Sequence, residues 1–203
     1  GRVATRNFIG VLTTVNCSAT VAKRVAAAFE NGGLEEYPNV DGVVALVHGT
    51  GCGMATKGEG FDVLQRILWG FLRHPNFAGV ILIGLGCEAA QIRFLLEAYG
   101  IKATDTFQYM TIQGTGGTRA TIEEGVKRVK AMLPKANQTK REALSAEHLS
   151  LCLQCGLNPS ADLVLRHAPM RPLLTRIDRQ ARGAQGRDPF LKKVLVQLCR
   201  ELR

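Results

Sequence analysis

Three cysteines occupy equivalent positions in the first half of the chain. Cys17, Cys52 and Cys87 each follow an apolar run and precede a segment with a helical pattern, and they lie 35 residues apart both times. That period fits one strand, one crossover helix and their loops, which places the thiols at equivalent strand–helix junctions. In an open parallel sheet, ligands bind in the crevice beyond the carboxyl ends of the strands. Three thiols there predict an iron or zinc site or a reactive thiol. The alternative is that each cysteine acts only as a small apolar residue at the end of a core strand.

The elements that would position these thiols alternate between strands and helices. The apolar runs predict strands over residues 8–15, 42–47, 79–85, 107–112 and 149–153. Ser18 or Thr20 is expected to cap the first helix through its side chain. In the helix over residues 60–73, the predicted buried face consists of Val63, Leu64, Ile67, Leu68 and Phe71. The alternation predicts an α/β fold: a Rossmann-like, doubly wound, mostly parallel sheet of about five strands with flanking helices.

The positive charge is concentrated at the end of the chain. Residues 157–203 contain ten Lys or Arg and four Asp or Glu, so they carry +6 of the net charge of +9. We therefore predict an α/β domain over residues 1–156 and a basic, partly helical or disordered extension over 157–203. No apolar run reaches the length of a membrane span, and no signal segment opens the chain. Residues 1–156 carry only +3, and the basic tail is interpreted as a solvated extension rather than a contact for nucleic acid or acidic lipid, so we predict no nucleic-acid partner and no membrane partner. Cysteines at junctions that we expect to be buried predict a reducing cytoplasmic compartment.

The turn from His48 to Cys52 carries the most reactive side chains. An imidazole and a thiol lie four residues apart, and the residues between them are Gly or Thr. Glycines let the backbone approach a ligand closely, and a helix start favours an anion or a thiolate. Cys87 and Glu88 place a thiol next to a carboxylate. Arg6, just before the first strand, is a candidate ligand for a carboxylate, although a surface arginine is the default interpretation.

Two further patterns carry weaker signals. Cys152 and Cys155 have C-x-x-C spacing, but on a strand their side chains would point to opposite faces, so we predict Cys155 at the site and Cys152 in the core. The glycine-rich loop 114–118 lacks the lysine of a P-loop and the full dinucleotide fingerprint. It is equally compatible with a phosphate cradle and with a plain turn.

Several of these segments, taken together and in order, resemble the altronate/galactarate dehydratase family. The segments are Gly1-Arg-Val-Ala-Thr-Arg-Asn7, Val15-Asn-Cys-Ser-Ala-Thr20, His48-Gly-Thr-Gly-Cys-Gly53, His74-Pro-Asn76, Gly84-Leu-Gly-Cys-Glu88, Gly116-Gly-Thr-Arg-Ala-Thr121 after Gln113, and Leu153-Gln-Cys-Gly156. The resemblance extends over about residues 1–156. Beyond Gly156 the family's Gly-Ser-Asp-rich loop is absent, although Asn158-Pro159 is present.

The resemblance implies a cytoplasmic bacterial hydro-lyase that acts on a sugar acid such as altronate or galactarate. The expected product is a 2-keto-3-deoxy acid, formed through a metal-stabilised enediolate, and the implied cofactor is Fe2+, either mononuclear or in an iron–sulfur cluster. The chain would be the middle region of a multi-domain protein, with a homodimer and the missing domains as expected partners.

The resemblance also guides the assignment of site residues. Cys17, Cys52, Cys87 and Cys155 are predicted to bind the metal, and His48 and Glu88 are candidate catalytic residues. The predicted substrate-binding residues are Arg6, Asn7, Asn16 and Ser18. Two other classes of function stay open: a non-catalytic fragment or dimerisation module of such an enzyme, and a zinc or Cys/His hydrolase that uses Cys52 with His48.

Overall fold

Four parallel strands form the centre of the molecule. The computed structural model describes residues 3–145 and 148. The strands are β1 (Phe8–Thr13), β2 (Gly42–Leu46), β3 (Phe77–Gly84) and β4 (Phe107–Thr111). They pair in parallel in the order β2-β1-β3-β4. The predicted fifth strand, 149–153, lies outside the described residues.

Helices cover both faces of the sheet. The helices are α1 (Ala19–Ala27), α2 (Glu59–Leu72), α3 (Ile92–Tyr99), the single turn α4 (Ile112–Thr115) and α5 (Thr118–Ala136). On one face α1 and α5 pack over Ile9, Val11 and Ile81, and on the other α2 and α3 pack over Leu12 and Leu82. Alternate residues of each strand face opposite helix layers, as a strand buried on both sides requires. The predicted doubly wound α/β fold is confirmed.

The buried face of α2 differs from the predicted one. Phe61, Leu64, Gln65 and Leu68 are buried, whereas Val63, Ile67 and Phe71 are 39%, 50% and 36% exposed. Apolar residues occur on two adjacent stripes of this helix, and hydrophobic periodicity alone cannot say which stripe faces the sheet. The prediction was therefore wrong for Val63, Ile67 and Phe71.

Two helix ends also differ from expectation. Ser18 is the N-cap residue of α1, but its side chain makes no capping bond, and Thr20 lies inside the helix. The hydroxyl of Ser18 instead donates to the carbonyl oxygens of Val15 and Ile83. At the other end of the domain, the sequence predicts that the last helix ends near Leu133-Pro134, because a proline removes a helix hydrogen bond. The helix α5 instead continues through Pro134 to Ala136.

The chain divides into two compact units, Gly1–Arg141 and Glu142–Arg203. The first contains all the helices and strands given above. Of the second, the structure describes only residues 142–145 and 148, so the predicted domain boundary at 156 and the basic extension lie outside the described residues. Among the described residues, no helix is long and apolar enough to cross a bilayer.

Candidate functional site

The three cysteine junctions meet at one edge of the sheet. Strands β1 and β3 are neighbours, and the chain leaves them in opposite directions, toward β2 and β4 respectively. Such a switch point opens a crevice beyond the carboxyl ends of the two strands. Cys17 follows β1, Cys52 follows β2 and Cys87 follows β3, and all three are exposed free thiols. The prediction that these thiols occupy equivalent strand–helix junctions is confirmed, but the prediction that the junctions are buried is wrong, because the side chains lie in the loops beyond the strand ends.

Backbone hydrogen bonds hold the three junctions together. The N–H of Asn16 donates to the C=O of Thr50 over 2.9 Å, which joins the first junction to the second. The N–H groups of Ala89 and Ala90 donate to the C=O groups of Cys52 and Gly51 over 3.2 and 3.1 Å, which joins the second junction to the third. The relative positions of the cysteines therefore depend on main-chain bonds between loops that are distant in sequence.

Gly51 allows the second junction to lie against the end of β1. Its φ is +99°, and a Cβ at this position would lie 2.1 Å from the carbonyl oxygen of Thr14. An L-residue is disfavoured by that φ, and no side-chain atom fits at that distance from a backbone oxygen. The glycine is thus required by both the conformation and the close approach of two backbones.

The thiols influence one another. A side-chain hydrogen bond with Cys17, together with the charge of Cys17, raises the pKa of Cys52 above its ordinary value. Burial and the charges of Cys87 and Glu88 act in the same direction, more weakly. Crowding of groups that become negative favours their neutral forms. A bound cation would relieve this crowding.

The donor chemistry of this edge suits a soft metal ion. Thiolates bind iron and zinc, and the three exposed sulfurs lie at one crevice. Among the residues that the structure describes, however, no group of three or more His, Cys, Asp or Glu side chains is close enough to hold an ion. The residues therefore fit a metal in type and location, and binding would require the thiols to draw together. Cys155, the predicted fourth ligand, lies outside the described residues.

Glu88 is buried and fully engaged as a hydrogen-bond acceptor. Its side chain is 2% exposed. One carboxylate oxygen accepts from the hydroxyl of Thr14 at 2.8 Å and from the N–H of Leu85 at 3.1 Å, and the other accepts from the N–H of Gly86 at 2.5 Å. These bonds fasten the loop that carries Cys87 to the end of β1. The predicted acid/base role of Glu88 stays a prediction, while an anchoring role follows from its contacts.

Both ring nitrogens of His48 contact backbone groups. Nε2 lies 2.9 Å from the carbonyl oxygen of Thr13, and Nδ1 accepts from the N–H of Thr50 over 3.3 Å. Because Nδ1 accepts, the proton of the neutral ring is assigned to Nε2, which donates to Thr13. In this arrangement neither nitrogen is free for the thiol of Cys52, so the Cys52–His48 pair needed by a Cys/His hydrolase is not formed.

The predicted substrate-binding residues separate into three groups. Asn16 is exposed beside Cys17, whose Sγ donates to its Oδ1 over 3.6 Å. Ser18 is 0% exposed and bonds two carbonyl groups, so its hydroxyl cannot meet a ligand in the crevice. Arg6 and Asn7 precede β1 and therefore lie at the amino edge of the sheet, opposite the cysteines. Asn7 instead connects elements at that edge, because its side-chain amide donates to the carbonyl groups of Asn39 and Ala136.

Two residues near the crevice were not predicted from the sequence. Gln113, after β4, donates from Nε2 to the Sγ of Cys87 over 3.3 Å. Arg93, at the start of α3, lines a recess of about 250 Å³ that the Gly86–Glu88 loop and the end of β4 also border. Gln113 directly precedes the loop 114–118 that was considered as a phosphate cradle, and nothing in the pattern singled out Arg93. A larger recess of about 480 Å³ lies between the loop after α1 and α5, and none of the predicted site residues lines it.

Comparison with known proteins gives a consistent result. Residues 1–137 match the sequence profile described as D-galactarate dehydratase/Altronate hydrolase, second domain. The chain is 28% identical to altronate dehydratase of Bacillus subtilis (strain 168) over 158 residues and 30% identical to altronate dehydratase of Escherichia coli (strain K12) over 159 residues. It is 35% identical to galactarate dehydratase (L-threo-forming) of Escherichia coli (strain K12) over 167 residues.

These alignments cover 77% of this chain but only 30%, 30% and 31% of the three relatives, so the chain spans about a third of their length. No solved structure gives a significant match. The profile matches well over half of the chain and covers β1 to β4 and α1 to α5, the strands and α-helices of the described residues. The chain therefore belongs to the D-galactarate dehydratase/altronate hydrolase family, with residues 1–137 corresponding to its second domain.

Proposed function

We propose that this chain carries part of the active site of a sugar-acid dehydratase, a carbon–oxygen hydro-lyase that converts a sugar acid such as altronate or galactarate to a 2-keto-3-deoxy acid. The observation that carries the proposal is the meeting of three exposed thiol junctions at the switch-point crevice of a domain from a dehydratase family. The free thiols also support a reducing, cytoplasmic setting.

Dehydration of a 2,3-dihydroxy acid requires charge stabilisation as well as proton transfer. The proton on the carbon next to the carboxylate is only weakly acidic. Its removal is followed by loss of hydroxide from the neighbouring carbon. Cys17, Cys52, Cys87 and Cys155 would hold iron, which would supply Lewis-acid stabilisation of the charge that develops on the substrate. The protein's own groups must then bind the acid, take the proton and protonate the departing oxygen.

Of the two acid/base candidates, His48 is better placed than Glu88. His48 is half-buried, and its Nδ1 is engaged only by a 3.3 Å bond from the N–H of Thr50. Glu88 is 2% exposed, and its two oxygens accept three bonds of 2.5 to 3.1 Å. We assign proton transfer to His48, which would exchange its contact with Thr50 for one with the substrate, and anchoring of the Cys87 loop to Glu88.

Substrate contacts are assigned to exposed polar groups at the same edge. Asn16 presents an amide beside Cys17 and suits a substrate hydroxyl. The recess beside the Cys87 loop contains Arg93, whose guanidinium lies 4.8 Å from the centre of the Phe94 ring. A guanidinium binds a carboxylate through two parallel hydrogen bonds. Arg93 therefore takes the carboxylate-binding role that was predicted for Arg6.

The metal part of the proposal is tested by the iron, zinc and acid-labile sulfide content of anaerobically purified protein. We expect iron in the wild-type protein and a loss of most of it in Cys87→Ser, because one of the ligands is removed. Cys199→Ser, which replaces a cysteine outside the predicted ligand set, is the matched control and should retain its iron. Sulfide in proportion to iron would indicate a cluster, and its absence a mononuclear site.

Iron content that is equal in Cys87→Ser and Cys199→Ser would contradict the ligand assignment. Folded wild-type protein that contains no metal after anaerobic purification with added iron would contradict the metal proposal as a whole. Zinc alone would support the hydrolase alternative, in which His48 would have to exchange its contact with Thr50 for one with Cys52.

One observation favours a second candidate function, a module that packs against other parts of a larger dehydratase. Val63, Ile67 and Phe71 form an apolar stripe along α2 and are 36–50% exposed. Apolar area of this kind is a common feature of interaction surfaces. The relatives are about two and a half times as long as this chain. We therefore assign the stripe to contact with further domains such as the relatives contain. Dimerisation of the chain without turnover would instead indicate a second copy on this surface.

A further inference from the structure

Gln113 connects the fourth strand–helix junction to the third cysteine. Its backbone N–H donates to the C=O of Leu85 over 3.0 Å, so the end of β4 is fastened to the end of β3. Its side-chain Nε2 then donates to the Sγ of Cys87 over 3.3 Å. The junction after β4 has no cysteine of its own, yet it supplies a hydrogen-bond donor to the thiol of its neighbour.

The loop before Cys87 is shaped to admit this side chain. Gly86 has a φ of +120°, and a Cβ at this position would lie 2.6 Å from the Oε1 of Gln113 and 3.1 Å from its Cβ. Any side chain at position 86 would therefore displace Gln113 from Cys87. The bond from the Gly86 N–H to Glu88 holds the loop on its other side. The contact joins two exposed side chains, and the loop that carries the sulfur is held in place by the bonds of Gly86 and Gln113 to their neighbours.

The three thiols of the crevice have different partners. The Sγ of Cys17 donates to the amide oxygen of Asn16, and Cys52 interacts with Cys17. Cys87 instead accepts from an amide N–H. An N–H donor stabilises negative charge on sulfur, and hydrogen bonds of this type orient a metal-bound thiolate and tune the metal.

We propose that Gln113 is a positioning residue for Cys87: its amide fixes the orientation of the sulfur in the crevice and keeps this hydrogen bond when the sulfur binds a metal ion. The second part rests on the proposed function, whereas the contact between the amide and the sulfur does not. Gln113→Leu, which keeps a side chain of similar size without a donor, separates the hydrogen bond from packing. A thermal midpoint within about 2 °C of the wild type would show that this variant is folded.

The contact itself is tested without metal, by NMR of the side-chain amide groups in 15N-labelled protein. The Gln113 signal is assigned by its absence from Gln113→Leu. We expect this signal to move in Cys87→Ala and to stay in place in Cys52→Ala, because only Cys87 accepts from it. A Gln113 signal that is unchanged in Cys87→Ala would overturn the proposal.

The effect on metal binding is tested with Co2+ as the probe, by anaerobic titration and the sulfur-to-metal charge-transfer band. We expect the Kd of Gln113→Leu to rise by about 10- to 100-fold and the band to shift, as is usual when an outer hydrogen bond to a ligand is lost. Gln108→Leu, at a glutamine of β4, is the control and should bind as the wild type does. An unchanged Kd and band in Gln113→Leu would overturn the positioning role. Absence of any band in wild-type protein would instead contradict the metal site, and the amide signal would then decide the role of Gln113.

Discussion

Replacement of Gly51 with alanine is expected to destabilise the protein by roughly 2–6 kcal/mol. The alanine would have to adopt a φ of +99°, and its Cβ would lie 2.1 Å from the carbonyl oxygen of Thr14. A non-glycine residue in such a conformation costs about 1–3 kcal/mol, and overpacking costs a further 1–3 kcal/mol. Since typical domains are stable by only about 5–15 kcal/mol, the loss should be large in urea unfolding.

The same turn offers two matched controls. Gly49 and Gly53 have no atom within 4 Å of an added Cβ, and neither has a φ in the left-handed region. Gly49→Ala and Gly53→Ala should change the free energy of unfolding by less than about 1 kcal/mol, with a tendency to stabilise. A urea midpoint for Gly51→Ala equal to that of Gly53→Ala would show that the second junction does not lie against β1 as described.

Replacement of Glu88 with alanine is expected to cost roughly 1–3 kcal/mol. The backbone N–H groups of Leu85 and Gly86 would each lose a partly buried hydrogen bond, and a hydrogen bond of this kind contributes about 0.5–1.5 kcal/mol. Thr14→Val removes only one donor and should cost about 0.5–1.5 kcal/mol. Glu97→Ala, at an exposed glutamate of α3, should stay within about 0.5 kcal/mol of the wild type. Urea unfolding of the three variants provides the comparison.

Glu88→Gln distinguishes anchoring from proton transfer. Glutamine keeps the shape but presents an NH2 group where one carboxylate oxygen accepts from a backbone N–H. If Glu88 anchors the loop, the Glu88→Gln protein should be less stable than the wild type. This loss should not be additive with that of Thr14→Val, because the two side chains share a hydrogen bond. A Glu88→Gln protein with the stability of the wild type and lowered turnover would instead support the catalytic role.

The sequence was sufficient for the parts of the fold that depend on local pattern. Four apolar runs and the equal spacing of the cysteines predicted the parallel strands and the junctions of Cys17, Cys52 and Cys87. The same reasoning, applied consistently, would have excluded Arg6 and Asn7. Residues that precede a strand of a parallel sheet lie at its amino edge, far from a site at the carboxyl edge. Arg6 was proposed for its guanidinium and Asn7 with the help of the resemblance, and the geometry of this domain separates both from the cysteines.

Other features depend on contacts that a sequence pattern does not encode. Glu88 and Thr14 are 74 positions apart, and Gln113 and Cys87 are 26 apart. Hydrogen bonds of this kind follow from how the loops meet after the sheet has formed. The orientation of α2 was ambiguous for a different reason, since this helix carries apolar residues on both the buried and the exposed stripe.

The central claim is that the cysteine crevice serves dehydration of a sugar acid. Its most direct test is 2-keto-3-deoxy acid formation by iron-loaded protein supplied with altronate or galactarate under anaerobic conditions. We expect product from the wild-type protein, its loss on iron removal, and a decrease of at least about 100-fold in His48→Gln, since general acid–base catalysis typically contributes 10²–10⁴-fold. Turnover that survives both iron removal and loss of Cys87 would contradict the central claim, whereas no product from folded, iron-loaded protein would favour the non-catalytic module.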